Sequence, residues 1–470
     1  MVVATTVPAG IRLSEDDIAP LRGSMRGRML LPDAPEFEAA RQIFNGMIDK
    51  RPAAIARCVD VADVIAAVNF AREHDLLLAV RGGGHSIAGL STCDGGLVID
   101  LTEMQGVRID PAKRIGRVEG GTTWGAFDHA GHAFGLATPG GVVSTTGVGG
   151  LTLGGGQGHL IRKHGLSLDN LRSADVVLAS GEFVTASEDA NADLFWALRG
   201  GGGNFGVVTS FEFEMHPVSV VLAGIIFWPL EQAADAMRLF RDYMDTAPEE
   251  LSTLFGFVMV APGPPFPEEL HLKNVCALVA CFAGPEEAGR QALRPFTEYG
   301  TPSFSLVAPM PYPIVQSLFD AAYPFGLQNY WKGDLMSDLP DEAIEVHCQH
   351  GAMVPTFQSA ALFYSTTGAP QRVAADATAY SYREAEYSLV IDATYPDPAD
   401  TPAIKRWVKG YWEAVRPWSL GGAYVNFMQG DEGDQRVKET YRDNYDRLRA
   451  IKAQYDPGNL FRVNQNIPPA

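Results

Sequence analysis

The chain is poor in cysteine and in positive charge, and each shortage excludes functions. Its five cysteines, Cys58, Cys93, Cys276, Cys281 and Cys348, are odd in number, scattered and without CxxC spacing. That argues against a disulfide scaffold or a zinc site and for reduced thiols. Lysine and arginine total 37 against 56 acidic residues, a formal net charge of -19, and no basic tract offsets it. Such a field repels phosphate backbones and anionic bilayers, so neither nucleic acid nor a membrane is an expected partner. No stretch approaches the roughly 18 consecutive apolar residues of a membrane span. The opening MVVATTVPAGIRLSEDDIAP lacks the cationic start, apolar run and cleavage site of a signal peptide. Together these absences predict a soluble, cytoplasmic protein. Metal clusters are missing too: His159 with His164, and His347 with His350 around Cys348, have no third ligand at a usable spacing.

Glycine is what the chain has in abundance, 49 residues of it. With 470 residues, 46% hydrophobic and 20% charged, it is long enough for two or more domains. Val61, Val64, Ile65, Val68 and Ala71 recur at helical spacing, and Leu76 to Val80 reads as a buried strand. Further strands are predicted at Gly96 to Leu101 and Ile115 to Glu119, then a helix over Thr123 to Ala133. ADVVLASGEFVTAS predicts a hairpin turning at Ser180 and Gly181, and VVTSFEFEM a strand of alternating pattern. After Pro217 the composition shifts to a Pro-rich loop, many aromatics and strand-like runs such as Ala277 to Phe282 and Ser388 to Thr394. The chain closes with a strand-like GAYVNFM, one amphipathic helix across Asp434 to Tyr455 and the tail DPGNLFRVNQNIPP. There is no internal repeat.

Three segments are dense in glycine: RGGGHS from Arg81, GGLTLGGGQGHL from Gly149 and RGGGGNFGVV from Arg199. In RGGGHS a strand runs into consecutive glycines, which let backbone N–H groups converge on a diphosphate; the other reading is a structural turn. The segment is neither a Rossmann GxGxxG leading into a helix nor a Walker loop. Across residues 135 to 165, which contain the second segment, Val142, Val143, Val148, Leu151, Leu153, Leu160 and Ile161 interleave with the glycines, unlike a polar flexible linker. Three such segments in one α/β region suit an extended dinucleotide such as FAD. His85, at the end of the first, is either a functional group or a satisfied loop histidine.

At this point the sequence resembles a known family. The runs VRGGGHSIAGLSTCDGGLVIDL, GVVSTTGVGGLTLGGGQGHLIRKHGLSLDN, RGGGGNFGVVTSFEFEMHP and YDPGNLFRVNQNIPP are similar, in order, to the berberine-bridge-enzyme-like flavin oxidases. These belong to the vanillyl-alcohol-oxidase or p-cresol-methylhydroxylase (PCMH-type) superfamily. The resemblance implies an α+β fold: a two-part PCMH-type FAD-binding domain built from both chain ends, residues 1–217 and 416–470, and a central substrate domain, 218–415, of antiparallel sheet plus helices. It implies that His85 bonds covalently to the flavin 8α-methyl carbon. Gly82, Gly83, Gly84, His85 and Ser86 would bind the diphosphate, with Arg81 and Gly89 beside them also counted as cofactor-binding. Val143, Ser144, Thr146, Gly147 and Gly150, then Gly154, Gly155, Gly156 and Gly158, would run along the flavin. Gly206 and Val207 would meet the adenine, and Asn464 would return to the ring. Many members add a second link through a Cys where this chain has Val143, so a single histidyl link is expected here.

Strand alternation in GAYVNFM puts Tyr424 and Asn426 on one face and Ala423, Val425 and Phe427 on the other. In the family the matching Tyr faces the substrate. A phenol titrates near pH 10, so Tyr424 needs help to act as a base, and Lys332 in NYWKGDL is the candidate cation. Tyr330, Trp331 and Tyr364 are candidates for an aromatic wall. The activity implied is hydride transfer from an alcohol or amine carbon of a small organic substrate to FAD, with O2 reduced to H2O2. Thr146 lies where members vary oxygen access, so a dehydrogenase with another acceptor is the alternative, and an idle flavin-binding protein is a further one.

Overall fold

The computed structural model describes Leu13 and residues 15–470; most of the opening read above for a signal peptide, residues 1–12 and 14, lies outside the described residues. Three sheets organise the chain. The first is four-stranded, in the order Arg28–Leu30, Ala54–Arg57, Leu97–Asp100, Leu78–Arg81, with the last three parallel. Parallel neighbours need a crossover, which the helix Val61–Glu73 supplies, capped by the Asp60 side chain. The second is five-stranded and antiparallel, in the order Val107–Asp110, Ile115–Glu119, Val207–Glu214, Leu171–Val177, Phe183–Ser187. The last two form the expected hairpin, turning at Gly181 with φ 85°.

The third sheet has seven antiparallel strands, in the order Phe304–Pro311, Val220–Trp228, Asn274–Phe282, Leu251–Met259, Ala360–Ser365, Tyr387–Tyr395, Gln328–Met336. One face is covered by the helices Ala233–Met244, Asp341–Gly351 and Thr401–Val415, whose Phe240, Ile344, Val408 and Tyr411 pack against Phe255, Phe363, Leu389 and Ile391. The other face is left for the site. The α+β architecture with a central antiparallel sheet is therefore as expected. Val437, Tyr441, Leu448, Ile451 and Ile467, from the end of the chain, share a core with Val118, Phe211 and Phe213 of the five-stranded sheet and Phe127 of the helix Trp124–His132. Among the described residues no helix is long and apolar enough to cross a membrane.

Two expectations fail locally. GAYVNFM is not a strand: it is extended chain ending in a single 3-10 turn, Val425–Phe427, because its polar groups bond to a loop (below) and not to a sheet edge. The expected helix over Asp434 to Tyr455 is two, Asp434–Tyr441 and Asn444–Tyr455, broken at Arg442 with φ 45°. There the Arg442 guanidinium lies 3.5 Å from the centre of the Tyr382 ring, a cation–π contact the straight helix would forgo.

The seven-stranded portion is latched to the glycine-rich portion by Arg162. This buried side chain donates to the carbonyls of Leu251 at 2.7 Å, Pro248 at 3.0 Å, Ala247 at 3.1 Å and Met244 at 3.2 Å, and to Thr367 Oγ1 at 3.0 Å. Arg162→Met should strand those carbonyls and cost about 3 kcal/mol, read as a lowered unfolding midpoint in urea; an unchanged midpoint would refute the latch.

Candidate functional site

The Leu78–Arg81 strand ends on the first glycine segment, and Arg81 does not reach the cavity it was expected to line. Its guanidinium turns back to Asp100 Oδ2 at 2.5 Å and to the carbonyls of Ala40 and Gln42, because burial demands a partner for the charge. It thus anchors the base of the loop. Gly83 and Gly147 are in backbone contact: a Cβ on either would sit 2.4 Å from the other's nitrogen. The N–H groups of Gly82, Gly83, Gly84, His85 and Ser86 have no acceptor among the described residues, and bonding resumes only at Gly89 and Leu90, which donate to Ser86. A row of free N–H groups is a cradle for an anion. Gly89 is not part of it: it packs on Ile48, and its carbonyl takes the Lys50 ammonium at 2.8 Å.

His85 stacks on Phe44, with ring centres 4.4 Å apart, and meets the edge of Phe325 at 5.1 Å. Its Nε2 is 2.9 Å from Thr145 Oγ1. Burial pushes the imidazole down to about 4, so it is neutral at neutral pH with Nδ1 unengaged.

In the second segment Val143, Thr146, Gly147 and Gly150 line the cavity. Ser144 does not: its N–H and hydroxyl both bond the Asp320 carboxylate, at 2.8 and 2.6 Å, tying this loop to the turn before the Gln328–Met336 strand. Gly154, Gly155, Gly156 and Gly158 are also absent from the lining. Gly154, Gly155 and Gly156 shape the bed of Tyr424 instead, while Gly158 packs against the carbonyls of Gly140 and Gly141. Cβ atoms at Gly154 and Gly155 would strike Asn426 and the Tyr424 ring, and the Gly156 N–H donates to Tyr424 Oη at 2.8 Å. Asn426 Nδ2 donates to the same oxygen at 2.7 Å and to the Leu151 carbonyl at 3.1 Å. Tyr424 and Asn426 thus face together as expected, through a turn and not through strand alternation. Burial pushes the phenol up to about 12, against the pull of Asn426 and the Gly156 and Gln157 N–H groups.

Lys332 is not the neighbouring cation. Cross-strand register aligns Trp331 with Asp392 and Lys332 with Ile391, and side chains alternate between faces. Trp331 and Asp392 therefore enter the cavity, while Lys332 emerges on the helix-covered face, bonded to Asp431 and Glu432 at 2.8 Å each. Tyr330 shares that face and donates to Asp431 at 2.8 Å, so of the expected aromatic wall only Trp331 and Tyr364 line the cavity. The sequence reading missed Asp392, which is 2% exposed and accepts from Tyr323 Oη at 2.9 Å and the Ala360 N–H at 3.1 Å. Burial pushes its carboxyl up to about 8. The signal available was an acid inside the otherwise apolar YSLVIDATY.

At the far end Gly206 lines the cavity, but the Val207 side chain is core. Asn464 donates to the Gly203 carbonyl at 3.1 Å, so it belongs to the same end as Gly206, and the expected separation of the two between ring and adenine does not hold. The whole cavity encloses about 310 Å³, in the range of ligand sites. Among the described residues its lining contains one histidine, His85, one acid, Asp392, and no lysine or arginine. An elongated ligand with a diphosphate fits: free N–H groups at Gly82 to Ser86, and open space over Gly150, where a Cβ would meet nothing within 4 Å.

The family model described as FAD binding domain matches residues 52–187, and that described as berberine and berberine like matches residues 423–468. An FAD-linked oxidoreductase of Dictyostelium discoideum is 33% identical over 415 residues, 87% of each chain. The (R)-6-hydroxynicotine oxidase of Paenarthrobacter nicotinovorans is 30% identical over 95% of this chain and 97% of its own. Among solved structures, glucooligosaccharide oxidase from Acremonium strictum, with a 6-S-cysteinyl, 8α-N1-histidyl FAD, superposes with a TM-score of 0.84 at 25% identity, over 97% of this chain and 99% of that one.

If the open space over Gly150 is the bed of a flat cofactor, Gly150→Leu should leave thermal unfolding of the apoprotein nearly unchanged while abolishing visible flavin absorbance in the purified protein. Full flavin content in that variant would place the cofactor elsewhere.

Proposed function

The chain belongs to the berberine-like FAD-linked oxidoreductases, and from that premise we propose an oxidase that takes hydride from an alcohol or amine carbon of a small organic substrate, with FAD held covalently by His85 and O2 as acceptor. In this reading residues 1–217 and 416–470 hold the FAD and 218–415 cover it. A cytoplasmic setting is supported by five cysteines with no disulfide among them. FAD, when bound, supplies the two-electron acceptor and passes the electrons on to oxygen as hydrogen peroxide.

The observation that carries the reading is His85: a neutral imidazole at the end of a row of unpaired N–H groups. In the tautomer where Nε2–H donates to Thr145 Oγ1, Nδ1 would present its lone pair for the link to the 8α-methyl carbon; Phe44 stacks on the ring and fixes its plane. With Val143 in place of a cysteine, this is the single link. The N–H groups of Gly82 to Ser86 would hold the diphosphate by hydrogen bonds and oriented dipoles.

As the phenolate, Tyr424 would accept the substrate proton. Burial pushes the phenol up to about 12, and the Gly156 N–H and Asn426 Nδ2, which donate to its oxygen, offset part of that cost by favouring the charged form. The seven-stranded sheet closes over the cavity with Leu254, Leu362, Val390 and Trp331, keeping water from the reacting carbon.

Acid precipitation tests the link: yellow colour should stay with the wild-type pellet, be lost to the supernatant from His85→Ala, and be partly lost from Thr145→Val. Since only the neutral imidazole can form the bond, incorporation into apoprotein should be flat near neutral pH and fall towards pH 4. Flavin washing freely from the wild type would overturn the covalent reading. Tyr424→Phe should keep its flavin and lose about 100- to 10,000-fold in kcat, measured as peroxide release. Slow reoxidation by air after anaerobic reduction would favour the dehydrogenase reading instead.

A further inference from the structure

We propose that the sheet-covered end of the cavity binds a protonated amine on a compact aromatic or apolar skeleton, with Asp392 as its counter-charge. The proposal rests on the oxidase reading above and names its substrate class.

Asp392 stands in the Tyr387–Tyr395 strand between two strands whose facing residues are Trp331 and Ala360, so its carboxyl points the same way as Trp331. Both its oxygens are held, by the Tyr323 hydroxyl and the Ala360 N–H, which orients the group without supplying a charge. Around it the aromatics are linked edge to face or tilted: Tyr323 with Trp331 at 5.9 Å, Trp331 with Phe427 at 6.1 Å, and Phe427 with Tyr364 at 5.8 Å. Leu254, Leu362 and Val390 complete the same face. Aromatic rings around one carboxylate form a receptor for an ammonium ion, since the ring quadrupoles and the acid attract it together.

Other classes fit poorly. An anionic substrate would meet Asp392 with no lysine or arginine in the lining. A sugar ring would bring several hydroxyls against apolar side chains, each losing water without replacement, and the Tyr323 hydroxyl is already spent on Asp392.

The titratable groups facing Asp392 are the phenols of Tyr323 and Tyr364, both pushed up by burial and neutral across the working range. The Asp392 carboxyl, pushed up to about 8 by burial, then sets the pH response: a cation gains its partner as the acid ionises, so affinity rises with pH through that region.

The test uses the holoenzyme and redox-inert probes, read by perturbation of the flavin spectrum and by calorimetry. Phenyltrimethylammonium, which has no nitrogen lone pair, is compared with its neutral isostere tert-butylbenzene, with benzoate and with cellobiose. The cation should bind at least tenfold more tightly than the isostere, with its affinity rising between pH 7 and 9, while benzoate and cellobiose fail to bind. Asp392→Asn should abolish the preference for the cation and leave tert-butylbenzene within twofold. Equal binding of cation and isostere by the wild type, a preference that survives Asp392→Asn, or tighter binding of cellobiose would overturn the proposal. Should the variant not fold, the wild-type pH series decides alone, a flat series refuting it. A yellow, acid-stable protein without the preference defeats only this proposal; a protein with no retained flavin defeats the covalent reading before it.

Discussion

The site depends on one backbone contact, that between Gly83 and Gly147. Two loops from distant parts of the chain approach so closely that no side chain fits between them, and the N–H groups beside the contact are left without protein partners. A buried N–H without an acceptor costs on the order of 1–3 kcal/mol, so an anion accepting from these groups would couple cofactor binding to the stability of the loops. The supports around the contact are correspondingly strong. Arg81 on Asp100 braces the first loop from below, Ser144 on Asp320 ties the second to the neighbouring sheet, and Arg162 ties the sequence after it to the backbone at the end of the helix Ala233–Met244.

A second constraint is that the cavity holds no cation of its own. Among the described residues no lysine or arginine lines the cavity; charge there is managed by dipoles. Backbone N–H groups serve the diphosphate and also the phenol oxygen of Tyr424. Oriented dipoles in a dry site need no reorganisation when charge appears, and they do not repel a positively charged ligand as a buried lysine would. Lys332 is on the far side of the sheet because alternation along the strand places it there, where Asp431 and Glu432 satisfy its ammonium.

The large sheet serves two environments with one set of strands. Phe255, Phe363 and Ile391 are buried under helices, while Leu254, Leu362 and Asp392, one residue away, face the ligand. Because side-chain direction alternates along a strand, a shift of one residue in register would exchange the two sets. The unbroken antiparallel ladder from Phe304–Pro311 to Gln328–Met336 therefore decides the chemistry of the cavity as well as its shape.

By itself the sequence determined the α+β class, the three glycine segments, His85 at the end of the first and the pairing of Tyr424 with Asn426, because these rest on local features: residue type, spacing and motif order. What only the tertiary structure decided were the partners across the fold. That Trp331 and not Lys332 faces the ligand depends on which strand lies alongside, and NYWKGDL carries no mark of it. Asp392 was passed over because an acid in a buried strand gains meaning only from Tyr323 and Ala360, 69 and 32 residues away. Arg81, Gly89, Ser144 and the glycines Gly154, Gly155, Gly156 and Gly158 sit in motifs that touch the cavity, yet they do not line it. A motif specifies which residues are near a ligand, whereas which of them point at it is settled by backbone packing, and that is a long-range property of the chain.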